Sequence, residues 1–191
     1  MGSHGDYHFV HHDIISAKSR FFQDISFGPW ERGYTKPVDL PQVDAESFAI
    51  YTRWLYSGKL AINSCNCPER YESHEQSSLI EAYILGDFLD DPYYCRYVIE
   101  TIIAKLSFWK DFLSHDLIRR IWEATPTESP LRTLAMHWML VKHSEPSSWH
   151  IQSRSLPREF LAEALSLMLR RGTPVAVEQC EGTLRQLFLE N

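Results

Sequence analysis

The sequence predicts a mostly helical α+β fold, on two observations. Two short segments of extended-chain character, Tyr7–His11 and Val38–Leu40, are predicted strands that pair with each other. Most of the remaining chain carries apolar residues at helical spacing behind recognisable helix start signals, and the C-terminal half shows only this pattern. We therefore expect few strands and many helices.

Composition limits the class of protein. A chain of 191 residues with 44% hydrophobic residues can form one globular domain, or one domain with a helical appendage. The net charge of −6 argues against a surface that binds nucleic-acid phosphates. Four irregularly spaced cysteines predict free thiols in a reducing compartment, and no apolar run reaches the ~20 residues of a membrane helix. We expect an intracellular protein of the cytoplasm or nucleus, with residues 1–6 as a vector-derived leader.

Start and stop signals place the helices of the N-terminal half. Asp13–Ser26 predicts two short helices with Ser19 as the cap between them. Residues 27–36 contain two Gly and one Pro and predict a loop. Asp44 predicts the start of a further helix, and Gly58 its end.

A buried helical hairpin is the central structural prediction. Residues 61–77 are polar and unpatterned, which predicts an exposed, mobile insertion. Leu79–Leu89 is apolar or small on nearly every side, as in a buried helix, and Gly86 predicts a close helix contact. Asp91-Pro92 then predicts the start of a helix that runs through Leu106.

Four further helices are predicted beyond the hairpin, with a linker at 144–155. They are Ser114–Ala124, Ser129–His143, Pro157–Arg171 and Thr173–Leu189.

An ordered set of motifs resembles the BTB/POZ family, most closely its fungal members with a helical C-terminal extension. The set consists of Phe9-Val10-His11, Ile14-x-Ser16-Ala17-Lys18-Ser19-x-Phe21-Phe22, Val38-x-Leu40-Pro41, Trp54-Leu55-Tyr56-Ser57-Gly58 and Ile121-Trp122-x-x-Thr125-Pro126. The resemblance implies a BTB/POZ fold, a small sheet flanked by helices, over 7–110, followed by an all-helical extension over 111–191. It also implies a non-catalytic adaptor or oligomerisation scaffold.

The partner implied by the resemblance is a protein, either a second copy or a different chain. Family members often dimerise by exchanging an N-terminal strand and packing an N-terminal helix across the two-fold axis. We expect both elements to be missing here, which leaves monomer and homodimer open. Cullin-3 is an alternative partner, and a BTB-containing transcription regulator an alternative role. The family's cullin-binding motif spaces a hydrophobic residue and Glu by one position, whereas Trp30 and Glu31 are adjacent. The predicted partner-binding residues are Phe27, Trp30, Glu31, Tyr34 and Tyr56.

Other chemistries are weaker alternatives, and we expect no enzyme, cofactor or metal site. Ser114-His115-Asp116 has the residue types of a hydrolase triad, but neighbours on a helix point apart, which favours a Ser cap. Gly28–Thr35 has phosphate-loop glycine spacing with Tyr34 in the place of the lysine. Cys65, Cys67 and His74 would supply only three zinc ligands.

Two further residue groups have open interpretations. His11-His12-Asp13 could hold a metal or act as a base, but a packing role at the start of a helix is favoured. The tryptophans could line a partner groove, although regularly spaced ones such as Trp54, Trp109, Trp122 and Trp138 are more often core. We expect Trp30 and Trp149 to be the exposed ones.

Overall fold

Helices make up the regular secondary structure of the described residues. A computed structural model describes residues 7–26, 37–62, 68–106, 108–109, 113–142 and 156–171. These ranges contain the helices α1 (His12–Ser16), α2 (Arg20–Ser26), α3 (Ala45–Ser57), α4 (Pro68–Phe88), α5 (Pro92–Lys105), α6 (His115–Ala124), α7 (Pro130–Lys142) and α8 (Arg158–Arg171).

The predicted sheet, and with it the α+β BTB/POZ fold class, is wrong for the described residues, which contain no β-strand. Tyr7–His11 and Val38–Leu40 have no regular secondary structure, and no backbone hydrogen bond joins them. Side-chain contacts hold the first segment instead, since the His8 ring packs edge-on against the Phe48 ring, with the ring centroids 5.2 Å apart. A strand needs a partner for its backbone groups, and local alternation cannot supply one.

The predicted helix ends at Ser19, Asp44 and Gly58 are confirmed. Asp44 Oδ2 accepts a hydrogen bond from the Ser47 backbone N–H at 2.9 Å and starts α3. Gly58 ends it in the left-handed region, with φ of 68°. Ser19 lies between α1 and α2, where its Oγ accepts from the Phe22 N–H at 3.3 Å and donates to the Leu89 carbonyl at 2.6 Å.

The predicted exposed insertion at 61–77 is wrong in its second part. Helix α4 already begins at Pro68, and Glu75 and Gln76 are buried. Glu75 accepts hydrogen bonds from Lys105 Nζ at 2.6 Å and from the Trp109 indole N–H at 2.9 Å. A polar sequence is buried here because distant donors satisfy its carboxylate. Residues 63–67 lie outside the described residues.

The chain divides into two compact units. The first comprises Met1–Ser64 and Glu81–Val98, and the second comprises Cys65–Ile80 and Ile99–Asn191. The predicted domain boundary at 110/111 lies outside the described residues and stays a prediction.

The first unit packs α3 and the adjoining parts of α4 and α5 around an aromatic core. Its fully buried or nearly buried apolar side chains include Ile50, Tyr51, Trp54, Ala82, Tyr83, Leu85, Leu89, Tyr94 and Val98. A Cβ added to Gly86 would lie 2.7 Å from Tyr94 Cδ1 and 2.9 Å from Cys95 Sγ. The predicted close helix contact at Gly86 is therefore confirmed.

The second unit contains three of the predicted C-terminal helices. Helices α6, α7 and α8 match their predicted spans to within one residue. The buried Arg132 of α7 donates to the carbonyls of Trp122 and Thr125 at the end of α6, and its Nη1 lies 3.6 Å from Glu163 of α8. This guanidinium satisfies helix-end carbonyls that would otherwise lack partners. The predicted linker and the predicted helix at 173–189 lie outside the described residues.

Candidate interaction groove

A shallow groove of about 510 Å³ lies beside α3 in the first unit. We call it the Tyr56 groove. It is lined by His8, Phe9, Thr52, Arg53, Tyr56, Ser57 and Ala61. Three pieces of chain build it: the irregular N-terminal segment, the C-terminal half of α3, and the backbone that follows the turn at Gly58.

Tyr56 is an exposed aromatic residue held in one place. Half of its surface is exposed, at 50%. Its hydroxyl accepts a hydrogen bond from the His11 backbone N–H at 2.9 Å and lies 2.6 Å from His11 Nδ1. The two rings also meet edge-on, with centroids 5.8 Å apart. The ring thus offers apolar surface without the entropy cost of being immobilised on binding.

Phe9 is an almost fully exposed part of the groove wall. Its side chain is 95% exposed. The segment that carries it is nevertheless anchored on both sides, because the His8 ring packs against Phe48 and the His11 ring packs against Tyr56. The neighbouring Tyr7 is 75% exposed. Exposed aromatic side chains are enriched at protein contact sites.

The turn after α3 brings the Ala61 backbone back to Arg53. Gly58 reverses the chain through its left-handed conformation, and the Ser57 hydroxyl accepts from the Lys59 N–H at 3.1 Å. The Ala61 carbonyl then accepts a hydrogen bond from Arg53 Nη1 at 3.2 Å. The exposed guanidinium is therefore tied to the backbone at the edge of the groove.

The lining suits binding rather than bond cleavage. The two aliphatic hydroxyl groups in it serve the helix, since Thr52 Oγ1 donates to the Ala49 carbonyl at 3.0 Å and Ser57 Oγ to the Arg53 carbonyl at 2.7 Å. An activated nucleophile would instead contact a general base. What remains is a largely apolar surface, which can accept an apolar side chain.

A buried polar cluster near the start of α5 has a structural role. Asp91 is fully buried, and its carboxylate accepts hydrogen bonds from the Tyr51 hydroxyl and from the Tyr94 N–H, both at 3.0 Å. Burial raises the pKa of Asp91 above its ordinary value, although these two hydrogen bonds act in the opposite direction. Burial also raises the pKa of the Cys95 thiol. A protonated, buried thiol is a poor nucleophile.

The predicted partner-binding residues divide into two groups. Phe27, Trp30, Glu31 and Tyr34 lie outside the described residues, as does the glycine-spaced segment 28–35 that we disfavoured as a phosphate loop. Tyr56 lies in the groove. Sequence reasoning missed Phe9, which it assigned to a strand, and Arg53 and Ala61, because no local pattern shows that they meet Tyr56.

The remaining candidate residues have structural positions. Ser114 caps α6, where its Oγ accepts from the Leu117 N–H at 3.2 Å, which confirms the cap in place of the triad. The tryptophans at 54, 109, 122 and 138 are buried, as predicted for core residues, and Trp149 lies outside the described residues. Cys65 and Cys67 also lie outside them, and the described residues contain no cluster of three metal-ligating side chains.

No protein-family model, curated protein or solved structure matches the chain. None of the described helices combines the length and the apolar character that crossing a membrane requires.

Proposed function

We propose that this chain is a non-catalytic protein-interaction module that docks a segment of a partner protein in the Tyr56 groove. The observation that carries the proposal is an exposed tyrosine ring, fixed by His11, beside the almost fully exposed Phe9. A rigid aromatic residue in a concave surface is the typical anchor of a protein–protein contact. An intracellular, reducing setting belongs to the same proposal and rests on the cysteine content.

The groove volume favours a short segment as the ligand. At about 510 Å³ it falls within the range of sites that bind a small ligand or a few side chains. The BTB/POZ resemblance implied the same general role. The resemblance stays a prediction, although the sheet that it implied is wrong for the described residues. The cullin-3 alternative depends on the loop 27–36, which lies outside the described residues.

The test is a selection of short random peptides, displayed on phage, against the purified chain. We expect enriched peptides that share a bulky apolar residue. Tyr56→Ser should weaken them by about tenfold or more, as measured by fluorescence anisotropy, because it removes the central apolar contact.

Tyr93→Ser is the matched control. Tyr93 is also an exposed tyrosine of the first unit, at 67%, but it does not line the groove. Peptide binding should survive this change. If selection yields no peptide whose binding needs Tyr56, the proposed function is wrong.

A further inference from the structure

We infer that the outward face of α8 formed by Leu165 and Leu169, which we call the leucine face, is the docking surface for the C-terminal segment 173–189 of the same chain. The segment packs antiparallel to α8. This contact lies within the second unit and does not depend on the Tyr56 groove.

Helix α8 is apolar on two sides. On one side Phe160 and Ala164 are buried, and the Phe160 ring packs edge-on against the Trp122 ring of α6, with the centroids 5.0 Å apart. On the other side Leu165 and Leu169 are 58% and 77% exposed. These two leucines are four residues apart, so they lie one above the other on the same face. A helix that is apolar on more than one side is typically covered on each of them.

The C-terminal segment carries a matching apolar stripe. Residues 172–191 lie outside the described residues, and the sequence predicts a helix over 173–189. At 3.6 residues per turn, five apolar side chains of this helix fall within about 100° of its circumference. They are Val177, Cys180, Leu184, Leu187 and Phe188. A short helix of this kind depends for its stability on an apolar surface that covers the stripe.

A short connection sets the register between the two helices. Only residues 172–173 separate the end of α8 from Pro174, which is a favourable first residue of a helix. Loops of two to five residues typically join antiparallel helices. With this turn, a step back along α8 corresponds to a step forward along the segment, so the leucine face meets the apolar stripe. The facing pairs are Leu169 with Val177, Leu165 with Cys180 and Leu161 with Leu184.

Disulfide formation with the native Cys180 tests this contact. Leu165→Cys is introduced into the full chain, together with Cys65→Ser and Cys67→Ser, which remove two other thiols, and the protein is oxidised with diamide. We expect an intramolecular disulfide between positions 165 and 180, identified by peptide mass mapping. A disulfide requires Cα atoms within about 7 Å of each other, so its formation reports the predicted proximity.

Ser166→Cys in the same background is the matched control. Ser166 is exposed and lies one residue further along α8, but its side chain is turned by about 100° from that of Leu165. The Ser166 hydroxyl donates to the Ala162 carbonyl of its own helix at 2.9 Å. The disulfide with Cys180 should form at least about tenfold more slowly from this position, because the two Cβ atoms do not point towards each other.

Thermal unfolding of Leu169→Gln gives a second measurement that needs no disulfide. Glutamine has nearly the helix propensity of leucine, so the change reports the loss of apolar burial. If the segment covers the leucine face, the melting temperature should fall by about 2–4 °C. An uncovered leucine could be exchanged with almost no effect.

Three results would overturn the inference. The first is an equal rate of disulfide formation for Leu165→Cys and Ser166→Cys, and the second is an unchanged melting temperature for Leu169→Gln. The third is a disulfide that joins two chains, seen as a dimer on a non-reducing gel, because it would identify a second copy as the occupant of the leucine face.

Discussion

Among the described residues, the buried ionisable side chains Asp91, Glu75 and Arg132 each join a helix end to another part of the chain. Asp91 caps the start of α5 and accepts a hydrogen bond from the Tyr51 hydroxyl. Glu75 accepts hydrogen bonds from Lys105 and Trp109. Arg132 donates hydrogen bonds to carbonyls at the end of α6. Each is satisfied by several hydrogen bonds, which is the condition under which a buried ionisable group is tolerated. Truncating one of them leaves its partners unsatisfied inside the protein.

Asp91→Ala should lower the free energy of unfolding by about 2–4 kcal/mol. Loss of a helix N-cap costs about 1 kcal/mol, and leaving the buried Tyr51 hydroxyl without a partner costs about 1–3 kcal/mol. Asp91→Asn should cost less, because Asn is also a good cap and can still contact the hydroxyl. Urea unfolding of both variants measures the difference, and equal losses would contradict the assignment.

The raised pKa of Asp91 predicts that the stability of the protein depends on pH. Because the pKa of Asp91 is raised, the folded protein holds this proton at pH values at which the unfolded chain has released it. The contribution of Asp91 to stability is therefore greatest in acid and is lost as the pH rises through its raised pKa. Asn does not titrate. As the pH falls from about 7 to about 4, the free energy of unfolding of the wild type should therefore rise relative to that of Asp91→Asn. A difference that stays constant over this range would be evidence against a raised pKa.

At the scale of elements, local signals were sufficient for helix ends. The caps at Asp44, Asp91 and Ser114 and the stop at Gly58 are contacts within a few residues, so the sequence shows them directly. The two strand predictions were wrong because strand pairing is not local: each segment would have needed a partner about 30 residues away in the sequence. The start of α4 was missed because the burial of Glu75 depends on Lys105 and Trp109, which no local pattern reveals.

Gly86→Ala tests the closest contact within the first unit. The added methyl group would meet the Tyr94 ring and the Cys95 sulfur, and overpacking of this kind costs about 1–3 kcal/mol. The better helix propensity of alanine offsets up to about 1 kcal/mol of this cost, so the variant should have a lower free energy of unfolding than the wild type.

The reverse exchange, Ala104→Gly, is the control for Gly86→Ala. Ala104 is exposed in the last turn of α5, so this change reports helix propensity alone and should cost less than the value of about 1 kcal/mol for a helix interior. Thermal unfolding compares the two variants. A Gly86→Ala protein more stable than the wild type would show that the helices do not approach so closely.

At the scale of the whole molecule, we expect the purified chain to be a monomer of 22.3 kDa by light scattering across a concentration series. A stable homodimer buries about 800 Å² on each subunit, which is more than a shallow groove of this size supplies. Tyr56→Ser should leave the mass unchanged. A dimer that Tyr56→Ser dissociates would instead identify a second copy as the occupant of the groove.

The sequence by itself determined the helical character of the chain, most helix ends, the buried hairpin and the core tryptophans, because these depend on residues within a few positions of one another. It also singled out Tyr56. Only the tertiary structure decided that Tyr7–His11 is held by side chains without strand pairing, and that Phe9, Arg53 and Tyr56 share one groove. These features join the N-terminal segment to residues 40 or more positions away, and the free energy that holds such pairs together comes from packing and hydrogen bonds that no local pattern encodes.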